Sequence, residues 1–136
     1  MEETRATARA AKLVRAPALG AVVRKLAVNI SGDSRVLAYL TVPKGRGPFP
    51  AVLVLHDHGG RFDIGKEKMV RPFDVPEAVS RSSEEWIHRA YGGRHVADEL
   101  SKRGYVCFVT DALNWGDRGG GGDRGQQAIA SNLMHL

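Results

Sequence analysis

The segment His56-Asp57-His58-Gly59-Gly60-Arg61 follows directly on the apolar run AVLVL at 51–55. Glycines placed straight after a buried strand let the backbone turn sharply and present amide N–H groups to a ligand. In acyl transfer, such a loop supplies hydrogen-bond donors where negative charge develops in the transition state. The same residues also have simpler readings. Gly59, Gly60 and Arg61 suit a tight strand-exit turn. His56 and His58 suit packing and hydrogen bonding within the loop. A His-x-His pair can open a metal site, but Gly60 and Arg61 stand where further ligands would be needed, and His88, His95 and His135 show no ligand spacing. Neither a metal nor a cofactor is expected. Lys66 and Lys68 read as solvated lysines, with attraction of an anionic substrate as the alternative. Asp111 ends a strand at the edge of the sheet where α/β sites lie, and reads as a turn or cap residue. Asp117-Arg118 reads as a local salt bridge. Phe62 and Trp115 suit either the lining of a pocket or cover for the sheet edge. The lone Cys107 sits in mid-strand and reads as core.

The elements that must hold these residues can be read from periodicity. Residues 1–20 form a basic arm of helical composition, ending at the breaker cluster Pro17-Ala18-Leu19-Gly20. Ala21 to Ile30 reads as a strand, with Val22, Leu26, Val28 and Ile30 on one face. After the turn Ser31-Gly32-Asp33-Ser34, a second strand places Val36, Ala38, Leu40 and Val42 on one face and Leu37, Tyr39 and Thr41 on the other. Two strands this close predict an antiparallel hairpin. The runs AVLVL (51–55) and YVCFVT (105–110) do not alternate, which suits strands buried on both faces of a parallel sheet. Between them lies a polar stretch, then a helix with Ser82 and Glu85 as a capping box. A second helical stretch, Arg94 to Arg103, carries Val96, Ala97 and Leu100 as its stripe and stops at Gly104. The outcome is a βαβ unit after the hairpin. Six of the ten residues from Gly116 to Gly125 are glycine, and Gln126 to Leu136 again has helical composition.

The string PxPAVLVLHDHGG, the GKEK segment, the helix ending LSKRGY, the strand YVCFVTDA and the turn NWGDRG together resemble the N-terminal half of a bacterial α/β-hydrolase. They are similar to the group of dienelactone hydrolases and acetyl-xylan-esterase-like enzymes. The resemblance covers residues 21–136. It implies a mostly parallel sheet of about eight strands, a Ser-Asp-His triad and hydrolysis of a carboxylic ester or related acyl bond. It also implies that the N–H of Gly60 or Arg61 stabilises an oxyanion, while His58, Gly59, Phe62 and Trp115 border the substrate. The family's nucleophile sits in a G-x-S-x-G elbow after the fifth strand, and this chain contains no such elbow. The expected fold class is therefore α/β: a partial hydrolase sheet, with an antiparallel hairpin followed by a parallel βαβ unit, truncated before the nucleophile elbow. In that family's strand order, 105–110 inserts between the hairpin and 51–55. Strand Ala51–Leu55 is then left at an open edge, a site for self-association.

Composition narrows the alternatives. With 136 residues, 43% hydrophobic and 26% charged, the chain is long enough for one domain or part of one and is not broadly disordered. No apolar run approaches the roughly 20 residues of a membrane span, and no membrane partner is expected. A single cysteine excludes an internal disulfide framework and fits a reducing, cytoplasmic setting. The net charge of +5 is concentrated in residues 1–50, which carry nine Lys or Arg against three Asp or Glu. The basic arm that opens this stretch, MEETRATARAAKLVRAP, contains no aromatic residue to stack on a base, so nucleic acid is not the expected partner. The expected partner is a small-molecule ester or acyl substrate. Two other classes stay open: a catalytically inactive, truncated hydrolase module, and a binding module that uses the basic arm.

Overall fold

The computed structural model describes residues 15–18, 21–30 and 35–119. Five strands form one sheet: β1 (Arg15–Ala18), β2 (Ala21–Asn29), β3 (Arg35–Pro43), β4 (Ala51–Val54) and β5 (Val106–Thr110). Their order across the sheet is β1-β2-β3-β5-β4. The β2–β3 hairpin is antiparallel, with Val22 opposite Val42 and Val28 opposite Val36. β3 pairs antiparallel with β5, and β4 pairs parallel with β5. The expected hairpin and parallel βαβ unit are present, and among the described residues the strand expected at 51–55, observed as 51–54, lies at the edge of the sheet. The helical arm expected over 1–20 is corrected at its end, because Arg15–Ala18 pairs with Ala21–Arg24 as a strand. Residues 1–14, the 31–34 turn and the expected helix at 126–136 lie outside the described residues.

Two helices cross between β4 and β5: α1 (Glu77–Ala90) and α2 (Val96–Lys102). Helix α1 begins six residues before the expected capping box. Pro76 stands at its N-cap, and Val79 and Ser80 donate to the Pro76 carbonyl. Proline suits this end because its missing N–H would have had no partner there. Ser82 is thus mid-helix, and its side chain turns outward to Arg61 and Asp63. Helix α2 buries Ala97 and packs Val96 and Leu100 on the core, as its stripe predicts. Its start is tied down by the Ala97 N–H, which donates to the Met69 carbonyl at 2.9 Å. The buried Thr41 and Ser101 hydroxyls hydrogen-bond between β3 and α2.

The core comprises Val23, Tyr39, Val54, Met69, Val70, Ala97, Cys107 and Val109. Cys107 is fully buried, in agreement with a packing role. On β2 the inward face is that of Ala21 and Val23, not of Val22 and Ile30, and Ile30 is exposed. The register is offset by one from the reading of apolar residues alone, because β2 is apolar at both parities in its first half. Strand β4 also differs from expectation. Val54 is buried, but Leu53 and Leu55 are 62% and 74% exposed. An edge strand has a neighbour on one side only, so an apolar run does not guarantee cover.

His95 sits just before α2 and is 6% exposed. Its Nε2 lies 3.3 Å from Ser83 Oγ, whose own proton goes to the Glu67 carbonyl at 2.6 Å. Burial, reinforced by the positive charge of Arg71, pushes the imidazole down to about 4. The unfolded chain then binds a proton near pH 6.5 that the native state refuses. Stability is expected to fall as pH drops from about 6.5 to about 4, by on the order of 3 kcal/mol for this group. Burial holds Asp98 above the usual carboxylate range, and that shift works in the opposite direction low in the window. Urea unfolding at pH 7, 5.5 and 4.5 should show a much flatter loss in His95→Gln than in the parent chain. Equal losses would assign the acid sensitivity to another group.

Candidate functional site

Because β4 and β5 run parallel, both leave the sheet at the same edge. The loop after β4 and the loop after Thr110 therefore meet over the carboxyl ends of the strands, the place where ligands bind in open α/β sheets. A cleft of about 280 Å³ lies there, bordered by Leu55, His56, Asp57 and His58 from one loop and by Asp111, Ala112 and Trp115 from the other.

His56 joins the two loops. Its Nε2 accepts the Ala112 N–H at 2.9 Å, which leaves Nδ1 to carry the proton and donate to the Asp57 carbonyl at 2.9 Å. With both ring nitrogens engaged, His56 acts as a brace. This matches the packing reading of the sequence. Among the described residues no group of three His, Cys, Asp or Glu side chains is placed to hold a metal ion.

His58, Phe62 and Trp115 come together as one aromatic cluster. Ring centroids are 5.3 Å apart for His58 and Phe62, 5.1 Å for His58 and Trp115, and 4.8 Å for Phe62 and Trp115. His58 and Trp115 border the cleft, whereas Phe62 stands behind them. Trp115 is 2% exposed, and its indole N–H donates to the His58 carbonyl at 3.3 Å. Gly59 has a φ of +55°, and a Cβ there would stand 2.3 Å from the Trp86 ring and from Asp57 Oδ1. Only glycine fits. The Gly60 N–H turns back to His58 Nδ1 at 3.3 Å, so it is not free for a ligand. The Arg61 side chain leaves the cleft for α1, donating to Ser82 Oγ at 2.9 Å and to Glu85 at 2.8 Å.

The GKEK segment departs most from expectation. Lys66 and Lys68 are fully buried, not solvated, within a single turn of 3₁₀ helix at Lys66–Lys68. Lys66 Nζ reaches Glu67 at 2.8 Å, Asp111 at 2.8 Å and Asp117 at 2.6 Å. Burial alone would lower its pKa, but the Glu67 and Asp111 carboxylates outweigh it and hold the ammonium well above the ordinary lysine value. Asp111 also accepts the Lys66 N–H at 2.6 Å and the Asp117 N–H at 3.1 Å. It is thus the cap of the Gly116–Arg118 turn and the hub of a buried ion network. Asp117 pairs with Lys66, and Arg118 donates to the Asp111 carbonyl at 3.1 Å, so the expected Asp117–Arg118 pair is replaced by two links to the site. The approach is close enough that a Cβ on Gly65 would lie 2.3 Å from Asp111 Oδ1.

Asp57 is held from the other side. It accepts from Tyr91 Oη at 2.6 Å and from Trp86 Nε1 at 3.3 Å. Burial would raise its pKa, but the Tyr91 hydrogen bond and the Lys68 charge together hold it below the usual carboxylate value. Glu67, Trp86 and Tyr91 are site-building residues that sequence reasoning missed, and Lys66 and Lys68 are ones that it placed in solvent. The available signal was the charged triplet Lys66-Glu67-Lys68 beside the glycine loop, which looks identical to an exposed charge run.

No family model matches the chain. It is 33% identical over 100 residues to the Bacillus subtilis protein named "Putative hydrolase YtaP", covering 73% of this chain and 28% of that protein. Its fold is similar to the crystal structure of a "putative acetyl xylan esterase" from Bacteroides fragilis, with a TM-score of 0.57 and 18% identity over 91% of this chain and 30% of that one. The chain thus spans about three-tenths of the length of each of these relatives. The mixed α/β sheet of the described residues has a hydrolase-like fold, similar to that of an esterase.

Proposed function

We propose that this chain is the N-terminal part of a serine α/β-hydrolase that cleaves carboxylic esters or related acyl bonds, with residues 21–136 belonging to the hydrolase domain. The observation that carries this reading is the braced glycine loop at His58–Arg61, set over the carboxyl ends of two parallel strands and beside an apolar cleft. Loop amides supply the oxyanion donors, His58 and Trp115, backed by Phe62, form one wall for the substrate, and the nucleophile, acid and base come from sequence beyond this chain. A cytoplasmic setting accords with the single, reduced Cys107. Among the described residues no helix is long and apolar enough to cross a membrane.

The chain by itself contains no G-x-S-x-G elbow. It is expected to give no burst with nitrophenyl acetate and no fluorophosphonate label. The decisive test is a chimaera in which the 100 residues of this chain that match the YtaP protein replace their counterparts there. It should hydrolyse those activated esters that YtaP itself cleaves. A folded chimaera, inert on all of them, would overturn the proposal.

The same reading assigns the free edge of β4 to the next strand of the hydrolase sheet. Among the described residues β4 has a strand neighbour on one side only, and Leu53 and Leu55 are exposed, so the isolated chain should self-associate along that edge. Leu53→Lys is expected to shift it toward monomer in sedimentation velocity. A parent chain that is already monodisperse and monomeric at high concentration would count against edge pairing.

A further inference from the structure

We infer that Lys68 is a positioning residue: its buried ammonium holds the carbonyls of Asp57 and His58 on the inner side of the glycine loop, and so turns the N–H groups of His58 and Gly59 outward as a paired site for a carboxylate-like oxyanion. The inference deepens the hydrolase reading, and rests on that reading for the reaction the pair serves.

Lys68 Nζ donates to the Asp57 carbonyl at 3.0 Å and to the His58 carbonyl at 3.1 Å. Two successive carbonyls thus point at one cation. Neither peptide is cis, and in a trans peptide the N–H lies opposite the C=O. The His58 N–H must therefore point away from the side on which Lys68 holds the Asp57 oxygen. The Gly59 N–H must likewise point away from the His58 oxygen. The two peptides are locked in this sense by second donors: His56 Nδ1 on the Asp57 carbonyl and Trp115 Nε1 on the His58 carbonyl.

The outward amides are also the ones left open. Among the described residues neither the His58 N–H nor the Gly59 N–H has a protein acceptor, whereas the Gly60 N–H is taken by His58 Nδ1. Two adjacent, unpaired amides held in place by four part-buried hydrogen bonds to the carbonyls behind them are the arrangement that stabilises an oxyanion without reorganisation. The pair thus stands one and two residues before Gly60, whose own N–H is taken. Asp57 and His58 border the cleft, and Lys68 does not. Lys68 works from behind, with Nζ 3.6 Å from Asp57 Oδ1 and 5.3 Å from the centroid of the Trp86 ring. A fully buried ammonium is costly unless its protons find partners, and here two of the three go to the carbonyls that set the loop, with the Asp57 carboxylate beside them.

The test is amide-resolved NMR of the full chain titrated with sodium acetate, against sodium chloride at equal ionic strength. Acetate should move the His58 and Gly59 amide protons downfield and saturably, and chloride should not. Lys68→Met should lose the response at both amides, and Lys68→Arg should regain part of it. No acetate response in the parent chain, or an undiminished response in Lys68→Met, would overturn the inference. Should Lys68→Met fail to fold, hydrogen exchange on the parent chain decides: fast exchange at both His58 and Gly59 supports open amides, and protection at either refutes them. Ester turnover plays no part in this readout. An inactive chimaera would sink the hydrolase reading and leave the acetate result standing, while a chain indifferent to acetate would sink the positioning role alone.

Discussion

Lys66→Met is expected to destabilise the chain by about 3–5 kcal/mol, the cost of removing one partner from a buried ion network. The Lys66 ammonium is fully buried, and so is the Asp111 carboxylate it touches. Glu67 is nearly as deep. Methionine matches the volume of the lysine stem but supplies no charge, so two buried carboxylates lose their cation and cannot reach water. In a protein of this size the loss corresponds to a fall in Tm of roughly 10 °C or more. Structurally, the damage should concentrate on the join between the Gly65 turn and the Gly116–Arg118 turn, since both are tied to Asp111. Adding Glu67→Gln and Asp111→Asn to Lys66→Met should recover part of the stability, because neutral amides remove the unpaired charges. Thermal unfolding followed by far-UV circular dichroism measures all of this. A Lys66→Met chain within 1 kcal/mol of the parent would mean that the network is hydrated and its burial unimportant.

Gly59→Ala should have the largest effect on activity, and Gly60→Ala a far smaller one. Both glycines have positive φ, so each alanine pays the left-handed backbone penalty of about 1–2 kcal/mol. They differ in surroundings. A Cβ on Gly59 would drive into the Trp86 ring and Asp57, whereas a Cβ on Gly60 meets nothing within 4 Å. The Gly59 variant must therefore move either α1, which carries Trp86, or the loop itself. Displacing an oxyanion donor typically lowers turnover by about 10²–10³. In the YtaP chimaera, kcat for an activated ester should fall by that factor for Gly59→Ala and by less than about tenfold for Gly60→Ala. The reverse ranking would locate the donors at Gly60 and Arg61.

Local chemistry explains why much of this architecture was readable in one dimension. The β2–β3 hairpin follows from two strand-like runs with only the short, turn-forming sequence Ser31-Gly32-Asp33-Ser34 between them, and the parallel pair from two unbroken apolar runs separated by helical sequence. The His58–Gly59–Gly60 loop stands out because glycines after a strand have few other uses. The α1 start was misread because the Ser82–Glu85 spacing mimics a capping box, while proline at 76 opens the helix six residues earlier without any side-chain cap. Strand Arg15–Ala18 was hidden by alanine and arginine, which favour helix until a neighbouring strand offers a ladder of hydrogen bonds.

The residue types thus determined by themselves that the chain builds a hairpin, a parallel βαβ crossover and a glycine loop after the first parallel strand. Only the tertiary structure decided what surrounds that loop. Lysines 66 and 68 look like surface residues in sequence because charge is ordinarily exposed. They are buried because Asp111, 45 residues away, and the backbone of Asp57 and His58 offer them partners that water would otherwise provide. Desolvation of a cation is tolerated only where such partners converge, and convergence across a sheet cannot be expressed in local spacing.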